Sequence, residues 1–76
     1  MKEFIEYVVK HLIKNPESLS IEIVENDDKL VFQIRVKDSD LGQVIGRKGR
    51  TVFALRILVN ALAAKEGKRA IVEILE

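Results

Sequence analysis

The residues able to do chemistry lie together in one stretch, Val44-Ile45-Gly46-Arg47-Lys48-Gly49-Arg50. Two glycines three positions apart let the backbone turn sharply and approach another chain closely. Arg47 and Lys48 between them are held away from the body of the fold, and Arg50 follows at once. A helix that starts after such a turn offers unsatisfied N–H groups and the positive end of its dipole, both of which favour phosphate. From Leu41 to Lys65 there are five basic residues (Arg47, Lys48, Arg50, Arg56, Lys65) and no Asp or Glu. The formal net charge of +1 is therefore an average over an acidic remainder and a segment that carries +5. Such a segment suits a polyanion. The glycine spacing alone is weak evidence, since average Gly usage gives roughly 0.4 chance matches in a chain this long. An ordinary helix–turn–helix with Gly at its turn would account for it. The added weight comes from the two cations inside the pair, the apolar Val44-Ile45 before it and the acid-free helix after it.

Catalysis is not expected. The single histidine, His11, stands four residues from Tyr7 with no acid or nucleophile placed to form a dyad. The absence of cysteine excludes a disulfide scaffold, a thiolate zinc site and a cysteine nucleophile. Asp27/Asp28 and Asp38/Asp40 occupy turn positions, where aspartate satisfies backbone N–H groups, and no third ligand accompanies either pair. No metal or cofactor is expected. Gly46-x-x-Gly49 has neither the spacing nor the Lys-Ser/Thr of a Walker loop. Gly42-x-x-x-Gly46 lacks the apolar 20-mer of a membrane dimer motif. No apolar run approaches the roughly 18 residues of a membrane span. The first fourteen residues carry Glu3, Glu6, Lys10 and Lys14, unlike a signal or transit peptide, so a cytoplasmic location is expected.

The elements that must hold this stretch can be read from periodicity. Seventy-six residues allow one domain, 1–76, whose thin core must draw fully on the 47 % apolar content. Phe4, Ile5, Val8, Val9, Leu12 and Ile13 mark one face of a helix that Pro16 ends near Lys14 or Asn15. Leu19–Glu25 and Leu30–Lys37 alternate in polarity on either side of Asn26-Asp27-Asp28, which reads as an antiparallel hairpin. Asp40 with Gln43 suggests a capping box for a one-turn helix over Leu41–Ile45. After the glycine pair, a longer helix runs from Arg50 to about Lys65 with Val52, Leu55, Val59 and Leu62 inward, and Gly67 fits its C-cap. Ala70–Leu75 is a third strand. The order α-β-β-α-α-β predicts an α+β fold, a two-layer α/β sandwich whose helices cover one face of a three-stranded mixed sheet.

Ile45-Gly46-Arg47-Lys48-Gly49, between two helices in this order, resembles the IGxxG loop of a KH domain in its type II arrangement, and the likeness covers the whole chain. With Asp40-Leu41-Gly42 before the loop and Gly49-Arg50-Thr51 after it, the chain is similar to the small stand-alone KhpA-type (YlqC-like) bacterial RNA-binding family. The resemblance implies binding of single-stranded RNA in a groove between the glycine loop, its flanking helices and a neighbouring strand. It assigns Gly46 and Gly49 to close backbone approach, Arg47, Lys48 and Arg50 to phosphates, and Ile45, with Leu41, Val44, Ile34 and Val36, to an apolar groove floor. Each of those apolar residues also fits an ordinary core position. Arg35 and Lys37 either extend the basic surface or lie solvated on the open sheet face. No aromatic residue adjoins the loop, so little sequence selectivity and weak single-copy affinity are expected. The resemblance further implies a homodimer, or pairing with a larger KhpB/Jag-type KH protein, with surplus apolar surface on the long helix or the Ile71/Leu75 face as the docking site. The competing reading is a protein-interaction adaptor with only incidental RNA binding.

Overall fold

The computed structural model describes residues 2–75. Met1 and Glu76, which the expected domain 1–76 includes, lie outside the described residues. The elements are α1 (Lys2–Lys10), β1 (Ser20–Glu25), β2 (Lys29–Arg35), α2 (Leu41–Ile45), α3 (Arg50–Ala64) and β3 (Arg69–Leu75), with single 3₁₀ turns at Pro16–Ser18, Asp38–Asp40 and Arg47–Gly49. This is the α+β order expected from the sequence.

The hairpin forms as the alternation predicts. β1 runs antiparallel to β2 with Ile21 opposite Ile34 and Val24 opposite Val31, and the Asn26 N–H donates to the Lys29 carbonyl across the turn. β3 lies parallel to β2 on its other side, pairing Phe32 with Val72, so the sheet order is β1-β2-β3. The helices lie on one face of the sheet. Phe32, Ile34, Ile5, Val9, Val44 and Val59 are fully enclosed there, each contributing about 1.5–3 kcal/mol by burial. The opposite face carries Glu22, Gln33, Arg35 and Glu73 to solvent, and Gln33 donates a side-chain hydrogen bond to Glu73. Arg35 therefore takes the solvated-face position. α3 centres its inner stripe on Leu55, Val59 and Ala63, with Val52 and Leu62 half-buried beside it. It closes with the Gly67 N–H on the Ala64 carbonyl and the Lys68 N–H on the Ala63 carbonyl, the paired bonds of a Schellman motif.

Two local expectations fail for a shared reason. α1 ends at Lys10 and loosens into a turn at His11-Leu12, four or five residues before the expected stop. Asp40 does not cap α2: its side chain makes no bond to the helix, and the Asp38 carbonyl accepts the Leu41 N–H instead. The Asp40 carboxylate, 1 % exposed, accepts hydrogen bonds from the Lys14 N–H (3.1 Å), the Asn15 N–H (3.0 Å) and the Asn15 side-chain amide (3.1 Å). A buried acid must be matched by donors, and taking two backbone donors from residues 14 and 15 draws that segment out of the helix.

Burial pushes the Asp40 carboxyl pKa up, but the bonds from Lys14 and Asn15 and the charge of Lys37 outweigh it and hold the group below its ordinary value of 3.8. A depressed folded-state value adds stability that is complete above the ordinary value and is lost as pH falls through the folded one. Asp40→Asn should therefore melt lower than wild type at pH 7, and the gap should narrow below pH 3.8. Thermal melts at the two pH values check this; a gap of constant size would remove Asp40 from the acid response.

Candidate nucleic-acid interface

α2 and α3 meet at a turn whose shape the two glycines dictate in different ways. Gly46 has φ +79°, and a Cβ built there would stand 2.7 Å from the Thr51 Cβ and 2.8 Å from the Thr51 nitrogen. Any side chain at 46 would thus meet both a left-handed backbone and the first turn of α3. Gly49 has φ +75° with open space around it, so its requirement is conformational alone. Between them Lys48 also takes the left-handed region, at φ 57° and ψ 27°, a conformation that costs a non-glycine residue on the order of 1 kcal/mol or more. The consecutive left-handed residues fold the chain back on itself. The Gly49 N–H then reaches the Gly46 carbonyl (3.1 Å), and the Arg50 N–H reaches that of Arg47.

The turn leaves the Arg47, Lys48 and Arg50 side chains exposed. None of the three makes an ion pair among the described residues, where Lys68 pairs with Glu25 at the far end of β1. Unpaired cations at the positive end of a 15-residue helix form a surface prepared for anions. Ile45 is 41 % exposed and Leu41 half-buried beside them. Val44, Ile34 and Val36 are at most 3 % exposed and belong to the core, so the groove-floor alternative fails for these three. Lys37 is exposed next to Asp38.

α2 packs against α3 and β3. Because the Val36 N–H donates to the Leu75 carbonyl, the odd-numbered residues of β3 face β2, and Ala70, Val72 and Ile74 present their main-chain groups at the outer edge. The first of these is occupied: the Ala70 N–H donates to the Asn60 side-chain carbonyl (3.0 Å), while the Asn60 amide donates to the Arg56 carbonyl (2.8 Å). Sequence reasoning assigned no part to Asn60, and took Thr51 only as one of the residues that follow the loop. A polar residue inside an apolar helix was the available signal for Asn60; nothing in periodicity marks Thr51. His11 lies on the surface with its Nδ1 against the Tyr7 carbonyl (2.8 Å). No cluster of potential metal ligands occurs among the described residues.

A second surface is apolar. Phe4, Val8 and Leu12 of α1 and the following turn face Thr51, Ala54, Leu55 and Leu58 of α3 across a groove. On the same helix, α3, Phe53 and Ile57 are 61 % and 58 % exposed.

A family model described as KhpA/KhpB, KH domain, matches residues 2–74. The RNA-binding protein KhpA of Chlamydia trachomatis is 34 % identical over 76 residues, covering 100 % of this chain and 97 % of its own length. That of Clostridium perfringens is 37 % identical over 75 residues (99 % and 100 %), and that of Borreliella burgdorferi 38 % over 74 residues (97 % and 90 %). No solved structure matches the chain. Its α-β-β-α-α-β fold, its glycine-framed basic turn and the family match over nearly every residue agree: the chain belongs to the KhpA/KhpB family of KH domains.

Proposed function

We propose that residues 1–76 act as a single type II KH domain that binds single-stranded RNA with little sequence selectivity. Gly46 and Gly49 let the RNA backbone come close, Arg47, Lys48 and Arg50 meet phosphates, and Ile45 offers an apolar contact. The strand runs in the groove between this turn and the outer edge of β3. One observation carries the reading: three exposed cations without ion-pair partners among the described residues, Arg47, Lys48 and Arg50, stand on and just after a turn whose left-handed backbone needs its two glycines. The RNA-binding names of the relatives support it. Phe32 is in the core and Phe53 is the nearest aromatic along the chain, so the turn itself carries no stacking platform.

A single weakly binding module gains affinity when paired. The protein acts as a homodimer or with a larger KhpB/Jag-type partner, docking through the apolar α1/α3 surface, as a cytoplasmic post-transcriptional regulator or RNA chaperone. No helix among the described residues is long and apolar enough to cross a membrane.

That apolar surface also favours the adaptor reading, and salt separates the two. Binding of a short unstructured RNA should weaken with salt at a log–log slope of about −2, from three phosphate contacts at about −0.7 each on single strands. Filter-binding titrations between 50 and 300 mM salt measure it. No binding at the lowest salt, or a slope near zero, would favour the adaptor.

A further inference from the structure

α2 is five residues long and cannot hold a position by its own propensity. Its placement depends on what fastens its ends. At its C-terminal end Gly46 lies against Thr51 of α3. Midway, Val44 is fully enclosed in the core. At its N-terminal end stands Asp40, the one buried polar or charged side chain among the described residues. An apolar residue would pack there without the desolvation penalty of a carboxylate. What a carboxylate adds is direction. Three hydrogen bonds from Lys14 and Asn15, 26 and 25 residues away in sequence, fix where it sits, more narrowly than contacts between apolar groups do. One short helix, about 7.5 Å at 1.5 Å per residue, separates this anchor from the Gly46–Gly49 turn.

We propose that Asp40 is a positioning residue for the RNA-binding turn: its bonds to the segment after α1 set the placement of α2 and hence where Arg47 and Lys48 are presented. The inference rests on the RNA-binding reading above. Its sign separates it from simple electrostatics. Asp40 is an acid next to a polyanion site, so removing its charge should by Coulomb attraction alone tighten RNA binding. Loss of positioning should weaken it.

The experiment compares Asp40→Asn, Asn15→Asp and the double exchange carrying both. The probe is a ten-nucleotide oligouridylate in filter binding at 50 mM salt, at a temperature where circular dichroism shows each variant folded. Backbone amide NMR shifts are recorded without RNA. Asp40→Asn should bind about tenfold more weakly despite its more positive charge. Its shifts should move over residues 41–50, while those of β1, β2 and the second half of α3 stay in place. Asn15→Asp sets two carboxylates against each other and should weaken binding likewise. The double exchange restores a side-chain amide-to-carboxylate bond in the opposite direction, but the single carbonyl oxygen of an amide at 40 cannot replace both oxygens that accept the Lys14 and Asn15 N–H groups, so it should recover only part of the affinity and of the wild-type shifts. A role in stability alone would lower the melting temperature and leave the folded fraction binding as before.

Asp40→Asn binding RNA as tightly as wild type or tighter would overturn the proposal. Unmoved shifts over 41–50 would overturn it independently of RNA, whereas wild type failing to bind RNA would instead remove the reading beneath it. If Asp40→Asn does not fold, Asn15→Ala removes one bond and leaves two backbone donors on the carboxylate. It should show the same shift pattern with a two- to fourfold loss of affinity, and no change in either would overturn the proposal.

Discussion

Arg47→Asp with Lys48→Asp is expected to abolish retention of single-stranded RNA, with a loss on the order of a hundredfold at 0.15 M salt. The magnitude follows from counterion release. A log–log slope of about −0.7 per phosphate contact gives each contact about 0.6 in log K at that salt relative to 1 M. Two lost contacts remove slightly more than tenfold. Two carboxylates facing phosphate remove a similar factor by repulsion, so the losses multiply. The fold should survive, because both side chains are exposed and without ion-pair partners among the described residues. Aspartate also enters the left-handed region more readily than most residues, so position 48 at φ 57° accepts it. Filter binding and circular dichroism check the two halves of the expectation. Equal RNA affinity in the double variant would mean that the nucleic acid lies elsewhere.

Ile57→Asp should have the other large effect, on assembly. Ile57 is 58 % exposed, and a change at such a site usually alters the stability of a lone chain by no more than about 0.5 kcal/mol. If the chain pairs through this face of α3 the residue is covered, and an unpaired buried carboxylate costs several kcal/mol. A loss of about 3 kcal/mol would raise the dissociation constant more than a hundredfold. The neighbourhood explains why this face is the one to test. Phe53 is 61 % and Phe4 48 % exposed, and the groove between α1 and α3 is lined by Val8, Leu12, Ala54, Leu55 and Leu58 with Thr51 at one end. Light scattering across concentrations should give a dimer for wild type and a monomer for the variant. A wild-type chain that stays monomeric at high concentration and recovers no partner from cell extract would end the paired-module reading.

Much of the frame was legible because it depends on neighbours along the chain. Leu41–Ile45 and the start of α3 at Arg50 follow from local patterning around the glycine pair, and the hairpin register follows from alternation about three turn-forming residues. The misread parts depend on contacts across the chain. Helical periodicity continues through Ile13, yet α1 stops at Lys10 because Asp40, far ahead in sequence, takes the N–H groups of residues 14 and 15. The same bond turned an apparent capping residue into a buried anchor. Nor could composition divide Val44 from Ile45. Adjacent apolar residues on a one-turn helix point in different directions, and only packing decides that one is enclosed and the other meets solvent. For the site, the two glycines and three cations were visible as residues. The reason Gly46 tolerates nothing larger was not, because it lies in the nearness of Thr51.

The parallel pairing of β2 with β3 governs the order in which the domain can fold. β2 finds one neighbour through a three-residue turn but its other only through Lys29 to Arg69 and the pairs beyond, each forty residues apart. The entropy of closing that loop is lost before any rung of the ladder is gained. Until then the central strand is an edge, carrying Phe32 and Ile34 and able to accept a strand from another molecule. Escape from that state depends on α3, which delivers β3 to its place and whose closing turn brings the Arg69 N–H onto the Asp28 carbonyl at the hairpin. The helix that opens at the Gly46–Gly49 turn thus also governs how long the sheet stays open to aggregation while the chain folds.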